Sequence, residues 1–301
     1  MPNTPDPPVD YVERVNRAID YVVRHLDGSL RLADVAAAAH FSPFHFHRVF
    51  RSIVGETLNQ FVKRVRLERA MYLMSHSPGR SLTEVALECG FSSSSDFSRS
   101  FKQRYGVPPS AFDLKTWRAS KRDDLEALIT DEDGCTVLAG LSPGENPDGF
   151  TADLVDLPPR RVAYLRVLDP YHGGVLEAAQ GLMAWAEEHG LADNPWYGYM
   201  WEDPEIVALE DCRYDVAVEV DDTPVEGEIG VFDFPAMRVA QVEVKGAIDL
   251  EQRAIDWLFR TWLPQSGYVP ADQPCFEAWI GRPFAHGNEH FELYAQLPVQ
   301  S

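Results

Sequence analysis

Two stretches of this chain repeat themselves, and these repeats constrain the fold more than any other feature. LADVAAAAHFSPFHFHRVFRSIVG (Leu32–Gly55) and LTEVALECGFSSSSDFSRSFKQRYG (Leu82–Gly106) match at an offset of 50 as far as Phe41/Phe91. Past one inserted residue the offset is 51, which pairs Phe46 with Phe97, Arg48 with Arg99, Phe50 with Phe101 and Gly55 with Gly106. Further on, DLPPRRVAYLRV (Asp156–Val167) and DFPAMRVAQVEV (Asp233–Val244) match at an offset of 77. The same offset pairs Trp185 with Trp262, Gly190 with Gly267, and RYDVAVEV (Arg213–Val220) with HFELYAQL (His290–Leu297). Each pair predicts a domain built from two like halves.

The length of 301 residues agrees with two domains. A composition of 45% hydrophobic and 25% charged residues is that of a globular chain, and excludes a disordered or collagenous one. No apolar run approaches the roughly 20 residues that cross a bilayer, and the opening MPNTPDPPVD lacks the pattern of a signal peptide, so a cytoplasmic protein without membrane partners is expected. Cys89, Cys135, Cys212 and Cys275 are far apart and form no C-x-x-C pair, which argues against a zinc site or a disulfide frame.

The net charge of −20 hides a division. Residues 1–120 hold 16 Lys+Arg and 12 Asp+Glu, a balance of +4; residues 121–301 hold 11 and 35, a balance of −24. The first part tolerates phosphates and the second suits neutral or cationic partners. Between them, Ser120–Ala152 is acidic and rich in Gly and Pro, which reads as a linker over 119–150 with room for one short helix.

In the first part, Asp10 and Glu13 suggest a capped helix start, and Val12, Val15, Ile19, Val22, Val23 and Leu26 follow at helical spacing. The repeated units read as a short helix, a turn, and a second helix starting near a serine, the order of a helix-turn-helix. Such a second helix enters the major groove, so its outward positions carry the chemistry. The first offers Phe44, His45, His47, Arg48 and Arg51. The second offers Ser94, Ser95, Asp96, Ser98, Arg99 and Lys102. Between the units, Leu58–Met74 reads as one helix of 17 residues that holds the two readers about one DNA turn apart. Its Lys63, Arg64, Arg66 and Arg69 are either phosphate contacts or a solvated basic face. His45 and His47 lie two apart, off a common helix face, and no metal is assigned.

In the second part each copy reads strand, helix, strand, strand, giving an α+β domain of pseudo-two-fold duplicated β-α-β-β units with a cleft between copies. FEAWIGRP (Phe276–Pro283) aligns with YGYMWEDP (Tyr197–Pro204) at an offset of 79, which sets Glu277 against Gly198. A carboxylate among Phe276, Trp279, Trp262, Tyr164, Trp196 and Trp201 is costly to bury unless a cation or a proton neutralises it. It is either an edge-strand glutamate beside core aromatics or the anionic part of a pocket for an aromatic cation.

Residues 9–118 resemble the DNA-binding domain of the AraC/XylS transcription regulators, on the paired units, the RLERA segment (Arg66–Ala70) and GFSSSSDFSRSFKQRYGVPPSAF (Gly90–Phe112). The resemblance implies an all-α double helix-turn-helix domain that reads double-stranded promoter DNA with Phe44, His47 and Arg48 and with Ser94, Ser95, Ser98 and Arg99, with RNA polymerase as a further partner. Two positions depart from the pattern. His40 stands where the second unit has Gly90, at a turn that favours positive φ, and Arg31 stands where Ser81 supplies a cap.

Residues 151–301 are similar to GyrI-like, or SHS2-duplicated, effector-binding domains, on LPP-x-R-V-A, CRYDVAVEV (Cys212–Val220), WLPQSGY (Trp262–Tyr268) and F-E-x-W. That resemblance implies a small hydrophobic or cationic effector held at Glu277, with Trp279, Tyr164, Trp196, Trp201 and Trp262 as its aromatic wall. The domain order resembles right-origin-binding regulators and multidrug sensors. The expectation is a ligand-responsive regulator, monomer or homodimer, without cofactor and not an enzyme, since no Ser-His-Asp order, metal triad or phosphate loop is legible. The alternatives are a Glu277-dependent hydrolase of electrophilic toxins and a ligand-sequestering or protein-contact module.

Overall fold

A computed structural model describes residues 10–77, 79–128, 141–225, 227–287 and 290–300. The chain divides into two units near Leu114/Lys115. The first is helical: α1 Asp10–Arg24, α2 Leu32–Ala38, α3 Pro43–Val54, α4 Leu58–His76, α5 Leu82–Glu88 and α6 Ser94–Tyr105. The side chain of Asp10, expected to cap α1, lies outside the described residues.

The repeat is an identity of cores. Phe46 and Phe50 in α3, and Phe97 and Phe101 in α6, are fully buried, each pair at ring distances of 5.2 and 5.6 Å. The first half buries them against Val15, Ile19 and Val22 of α1 and Val35 and Ala36 of α2. α4 runs for 19 residues, about 28 Å at 1.5 Å per residue, and starts with a full capping box of Thr57 and Gln60.

The two departures have physical outcomes. Ser81 and Glu84 form a capping box on α5, whereas Arg31 gives α2 no side-chain cap. Gly90 has φ 78° and no room for a side chain, since a Cβ would stand 2.2 Å from the Leu26 carbonyl oxygen. His40 takes the same left-handed backbone, φ 54°, but is exposed. The first turn therefore bears strain that the second avoids.

The stretch read as a linker is structured at both ends. Leu114–Leu128 forms a helix, α7, whose Trp117 indole donates to the Ile206 carbonyl at 3.2 Å. Arg118 and Arg122 bind Glu205 at 2.9 and 2.6 Å, and Arg122 also binds Asp256. After residues 129–140, which lie outside the described residues with Cys135, Leu141 and Phe150 are buried in the core of the second unit. Composition marked this stretch as open because it does not show that Arg122 pairs with distant Glu205 and Asp256, or that Asp148 pairs with Arg253.

The second unit is one antiparallel sheet with helices on one face. Its strands are β1 Asp153–Leu157, β2 Arg160–Leu168, β3 Trp196–Met200, β4 Arg213–Glu219, β5 Gly230–Phe234, β6 Met237–Gly246, β7 Val269–Pro270, β8 Cys275–Trp279 and β9 Phe291–Gln300. Helix α8, Val175–Glu188, follows β2. Helix α9, Ile248–Trp257, follows β6 and continues through a π turn, Leu258–Trp262. The order β1-β6-β9-β8-β3-β4-β2-β5 reads the same from either end once each strand is replaced by its repeat mate. β3 and β8 pair at the centre, and Gly198 and Glu277 are direct partners there, so the pseudo-two-fold axis passes through that pair.

The first copy has one strand more than the sequence reading allowed and the second has two, one of them the short β7. β1 precedes β2, and β5 precedes β6, again 77 residues apart, and each pairs with the other copy: β1 with β6, β5 with β2. Only two residues join β1 to β2 and β5 to β6, a reach of about 10 Å. Strands at opposite ends of the order must therefore lie near one another, and the sheet rolls up. Its inner face encloses Tyr164, Tyr199, Phe232, Phe234, Val239 and Phe276. Its outer face carries the helices and a second core of Val242, Leu293, Ala295, Ala254 and Leu258. Among the described residues no helix is long and apolar enough to cross a membrane.

Candidate functional site

Helices α3 and α6 present their predicted side chains outward. α3 is capped by Ser42, which accepts from the His45 amide, and α6 by Ser93, which accepts from the Asp96 amide. Phe44 is 83% exposed, and His45, His47, Arg48 and Arg51 are exposed with it. On α6, Ser95, Arg99 and Lys102 are exposed and Ser94 and Ser98 half-buried. Asp96 is engaged by the Ser92 hydroxyl at 3.1 Å.

Charge pairing separates the basic residues of α3 and α6 from those of α4. Arg48, Arg51, Arg99 and Lys102 make no ion pair among the described residues, so their charge is available to phosphate and base edges. The basic residues of α4 differ. Arg64 is buried between Glu56 and Glu68, at 2.7 and 3.2 Å. Arg66 donates to the Leu26 and Gly28 carbonyls at 3.0 and 2.6 Å. Both serve packing, which removes them from the phosphate contacts considered above. Lys63 is exposed.

In the second unit, strand alternation decides which candidates meet. Glu277 shares its face of the sheet with Cys275 and Trp279 on β8, Gly198 on β3, Tyr214 and Val216 on β4, and Ala295 on β9. Glu277 is 7% exposed. Its Oε2 accepts from the Tyr214 hydroxyl at 2.9 Å. Gly198 is what allows this: a Cβ there would stand 1.8 Å from the Tyr214 hydroxyl and 2.8 Å from Glu277 Oε2.

The remaining aromatics do not surround Glu277. Tyr164, opposite Ala217, and Trp201 belong to the inner face. There the Trp201 indole donates to Asp215 at 2.7 Å, and Arg166 binds the same carboxylate at 2.8 Å. That face has its own cation, Arg160, which donates to the Tyr199 hydroxyl at 2.8 Å and lies 4.5 Å from the Phe276 ring centre. Trp196 is on the Glu277 face, but its indole is committed to the Ala192 carbonyl. Trp262 stacks on Tyr268 at the end of the π turn. Trp279 is the predicted aromatic that does adjoin Glu277, packed 5.2 Å from Phe284, whose φ of 55° marks a strained loop.

One neighbour of Glu277 was missing from the sequence reading: Glu251, on α9, which is 1% exposed. Burial raises the Glu251 carboxyl well above the glutamate range, and the charge of Glu277 adds to this. Burial raises Glu277 too, against the hydrogen bonds it accepts. Burial and the same charge hold Tyr214 as a neutral phenol, so it stays a donor. Neither glutamate makes an ion pair among the described residues. The site holds two buried carboxyls, one phenol and one indole. Among the described residues no group of His, Cys, Asp and Glu is arranged to hold a metal.

Comparison with known proteins agrees with this division. Residues 35–114 match a helix-turn-helix domain family and residues 151–300 the GyrI-like small molecule binding domain. Regulatory protein PocR of Salmonella typhimurium is 35% identical over 105 residues, 35% of this chain and 34% of PocR, so the match spans about a third of that relative's length. A DNA gyrase inhibitor of Serratia proteamaculans is 30% identical over 150 residues, 48% of this chain and 96% of that protein. The crystal structure of the DNA-binding domain of AdpA with a target DNA is 27% identical, covering 36% of this chain and 97% of that one, with a TM-score of 0.33. The chain thus joins an N-terminal helix-turn-helix domain of the AraC type to a C-terminal GyrI-like domain, and belongs to the GyrI-like family.

Proposed function

We propose that this protein is a ligand-responsive transcription regulator whose helices α3 and α6 read promoter DNA and whose GyrI-like domain senses a hydrophobic cation of the multidrug or xenobiotic kind. The DNA reading is supported by the AraC-type domain and by the unpaired charge of Arg48, Arg51, Arg99 and Lys102. One observation carries the effector reading: Glu277 is buried on the pseudo-two-fold axis with no basic side chain in ion-pair reach among the described residues. A charge so placed is costly without a counter-charge, and a bound cation supplies one.

Regulation requires that the effector bind the DNA-competent and incompetent states with different affinity. The test is a tryptophan-fluorescence titration with lipophilic cations and neutral analogues on wild type and Glu277→Gln, followed by DNA binding with the tightest ligand. Saturable quenching by cations, lost in the variant, together with a ligand-induced change in DNA affinity is expected. Quenching with no change in DNA affinity refutes transcriptional coupling, and turnover of an alkylating electrophile that disappears in Glu277→Gln replaces sensing with hydrolysis.

A further inference from the structure

We propose that the inner face of the rolled sheet is a second binding site, for a flat aromatic carboxylate, with Arg160 as its cation and Tyr197 and Tyr294 as its walls. The site lies on the opposite side of the central strands from Glu277 and is independent of the effector reading.

The repeat locates it. At the offset of 77, Arg160 stands where the second copy has Met237, and at the offset of 79, Ala278 stands where the first copy has Tyr199. Arg160 Nη2 lies 3.7 Å from the Met237 sulfur, so these two mates meet at the pseudo-two-fold axis. The axis thus carries a carboxyl on the helix face of the sheet and a guanidinium on the inner face, each without its like in the other copy.

Arg160 is 7% exposed and makes no ion pair among the described residues. Its Nε donates to the Tyr199 hydroxyl at 2.8 Å, and the rings of Phe276 and Tyr197 lie 4.5 and 4.9 Å from its guanidinium carbon. Ring faces offset part of the charge but do not replace the directed bonds of a carboxylate. Nη1 has no acceptor among the described residues. The carboxylates of the same face are engaged elsewhere: Asp215 by Arg166 at 2.6 Å, Glu219 by the Tyr197 hydroxyl at 3.0 Å, and Glu243 by Lys245 at 2.7 Å. A buried guanidinium in that state is completed by an anion from outside.

Beside Arg160 the face opens. Strand register sets Tyr197, Ala278 and Tyr294 in one row across β3, β8 and β9. All three are half-buried, whereas the next row, Tyr199, Phe276 and Gln296, is buried. Adjacent strands lie about 4.8 Å apart, so the two tyrosines rise about 10 Å from one another with only a methyl group between them. A ring in that slot lies about 5 Å from each tyrosine, within the range of aromatic contacts. The Tyr294 ring has no aromatic partner among the described residues, and Gln296 Oε1 accepts no hydrogen bond. The slot therefore offers two ring faces, a guanidinium and one unused acceptor, which together select a flat acid over a neutral or puckered ligand.

The experiment titrates the full-length chain by calorimetry with 2-naphthoate and its neutral counterpart 2-naphthamide. One 2-naphthoate should bind per chain, with a Kd about ten- to a hundredfold below that of the amide, the range of a hydrogen bond to a charged group. Arg160→Met, which copies the repeat mate, should bring the acid to the level of the amide. Ala278→Leu fills the slot from its half-buried floor and should abolish binding of both. Glu277→Gln, on the other face, should leave the 2-naphthoate Kd within about twofold of wild type.

Equal affinity for acid and amide in wild type overturns the role of Arg160, and 2-naphthoate binding that survives Ala278→Leu overturns the slot. Loss of binding in Glu277→Gln with retention in Arg160→Met places the acid on the other face and rejects the proposal, as does the absence of 2-naphthoate binding at millimolar concentration. The comparison of acid with amide is made on wild type, so it does not depend on a variant folding.

Discussion

Substituting alanine for Gly198 tests the geometry of the carboxyl site with one methyl group. The new Cβ would stand 1.8 Å from the Tyr214 hydroxyl, where real contacts do not fall below 3.0 Å, so the phenol must retreat by about 1.2 Å. Its ring carbon, 2.6 Å away, must move as well, and with it goes the 2.9 Å hydrogen bond to Glu277. Overpacking of a rigid strand costs about 1–3 kcal/mol, and a hydrogen bond to a charged group about 1.5–3 kcal/mol. The reduced entropy of the unfolded chain returns at most about 1 kcal/mol. The net expectation is a loss of about 2–5 kcal/mol. It is read by urea unfolding followed through tryptophan fluorescence, since six of the seven tryptophans lie beyond residue 150. The midpoint should fall with little change in slope. Tyr214→Phe removes the same hydrogen bond, so the double variant should be less destabilised than the sum of the singles by about 1.5–3 kcal/mol. Additivity within about 0.5 kcal/mol would refute the claim that Gly198 makes room for the phenol.

Arg48→Ala or Arg99→Ala should each weaken specific DNA binding by about 1–3 kcal/mol, with a steep dependence on salt in wild type; unchanged affinity in both variants removes α3 and α6 as the readers. His40→Gly should stabilise the N-terminal domain by about 0.5–1 kcal/mol, the αL strain relieved less the entropy of glycine, and a melting temperature that fails to rise contradicts strain at that turn. Because the Glu251 carboxyl is raised in the folded state, the native protein binds more protons than the unfolded chain above the ordinary glutamate value of 4.5. Its contribution is fully present below that value and is lost as pH rises through the folded one, with a slope of up to about 1.4 kcal/mol per pH unit. Glu251→Gln should flatten this slope, and equal slopes in both proteins contradict a raised Glu251 carboxyl.

The repeats made the architecture legible because a helix-turn-helix core and a duplicated sheet are local patterns written twice. Phe46/Phe97 and Phe50/Phe101 fell on equivalent buried positions, and the offset that aligned Glu277 with Gly198 identified residues that are strand partners. What escaped was nonlocal. β1 is five residues of DLVDL whose partner, β6, lies some 80 residues on, and nothing in its own composition requires a strand. Tyr164 and Trp201 were grouped with Glu277 by aromatic character, while the period of two sends Trp201 to the face opposite Gly198. Placing Tyr164 needed the register with Ala217, which no single strand reveals. Glu251 did leave a signal. In IDLEQRAIDWL the acids suggest a solvated face, yet 251, 254 and 258 fall on one helical stripe with alanine and leucine, where a glutamate needs a reason.

The axis through Gly198 and Glu277 also explains why the two halves share one chain. In a dimer of identical halves, the residue at a two-fold axis always meets its own copy. Such an assembly could offer two glycines and no charge, or two glutamates competing for the volume that the Tyr214 hydroxyl fills over Gly198. Covalent joining lifts that identity. One side of the axis is free to yield space while the other supplies the carboxylate, and the centre of the sheet gains a direction that a symmetric assembly could not provide.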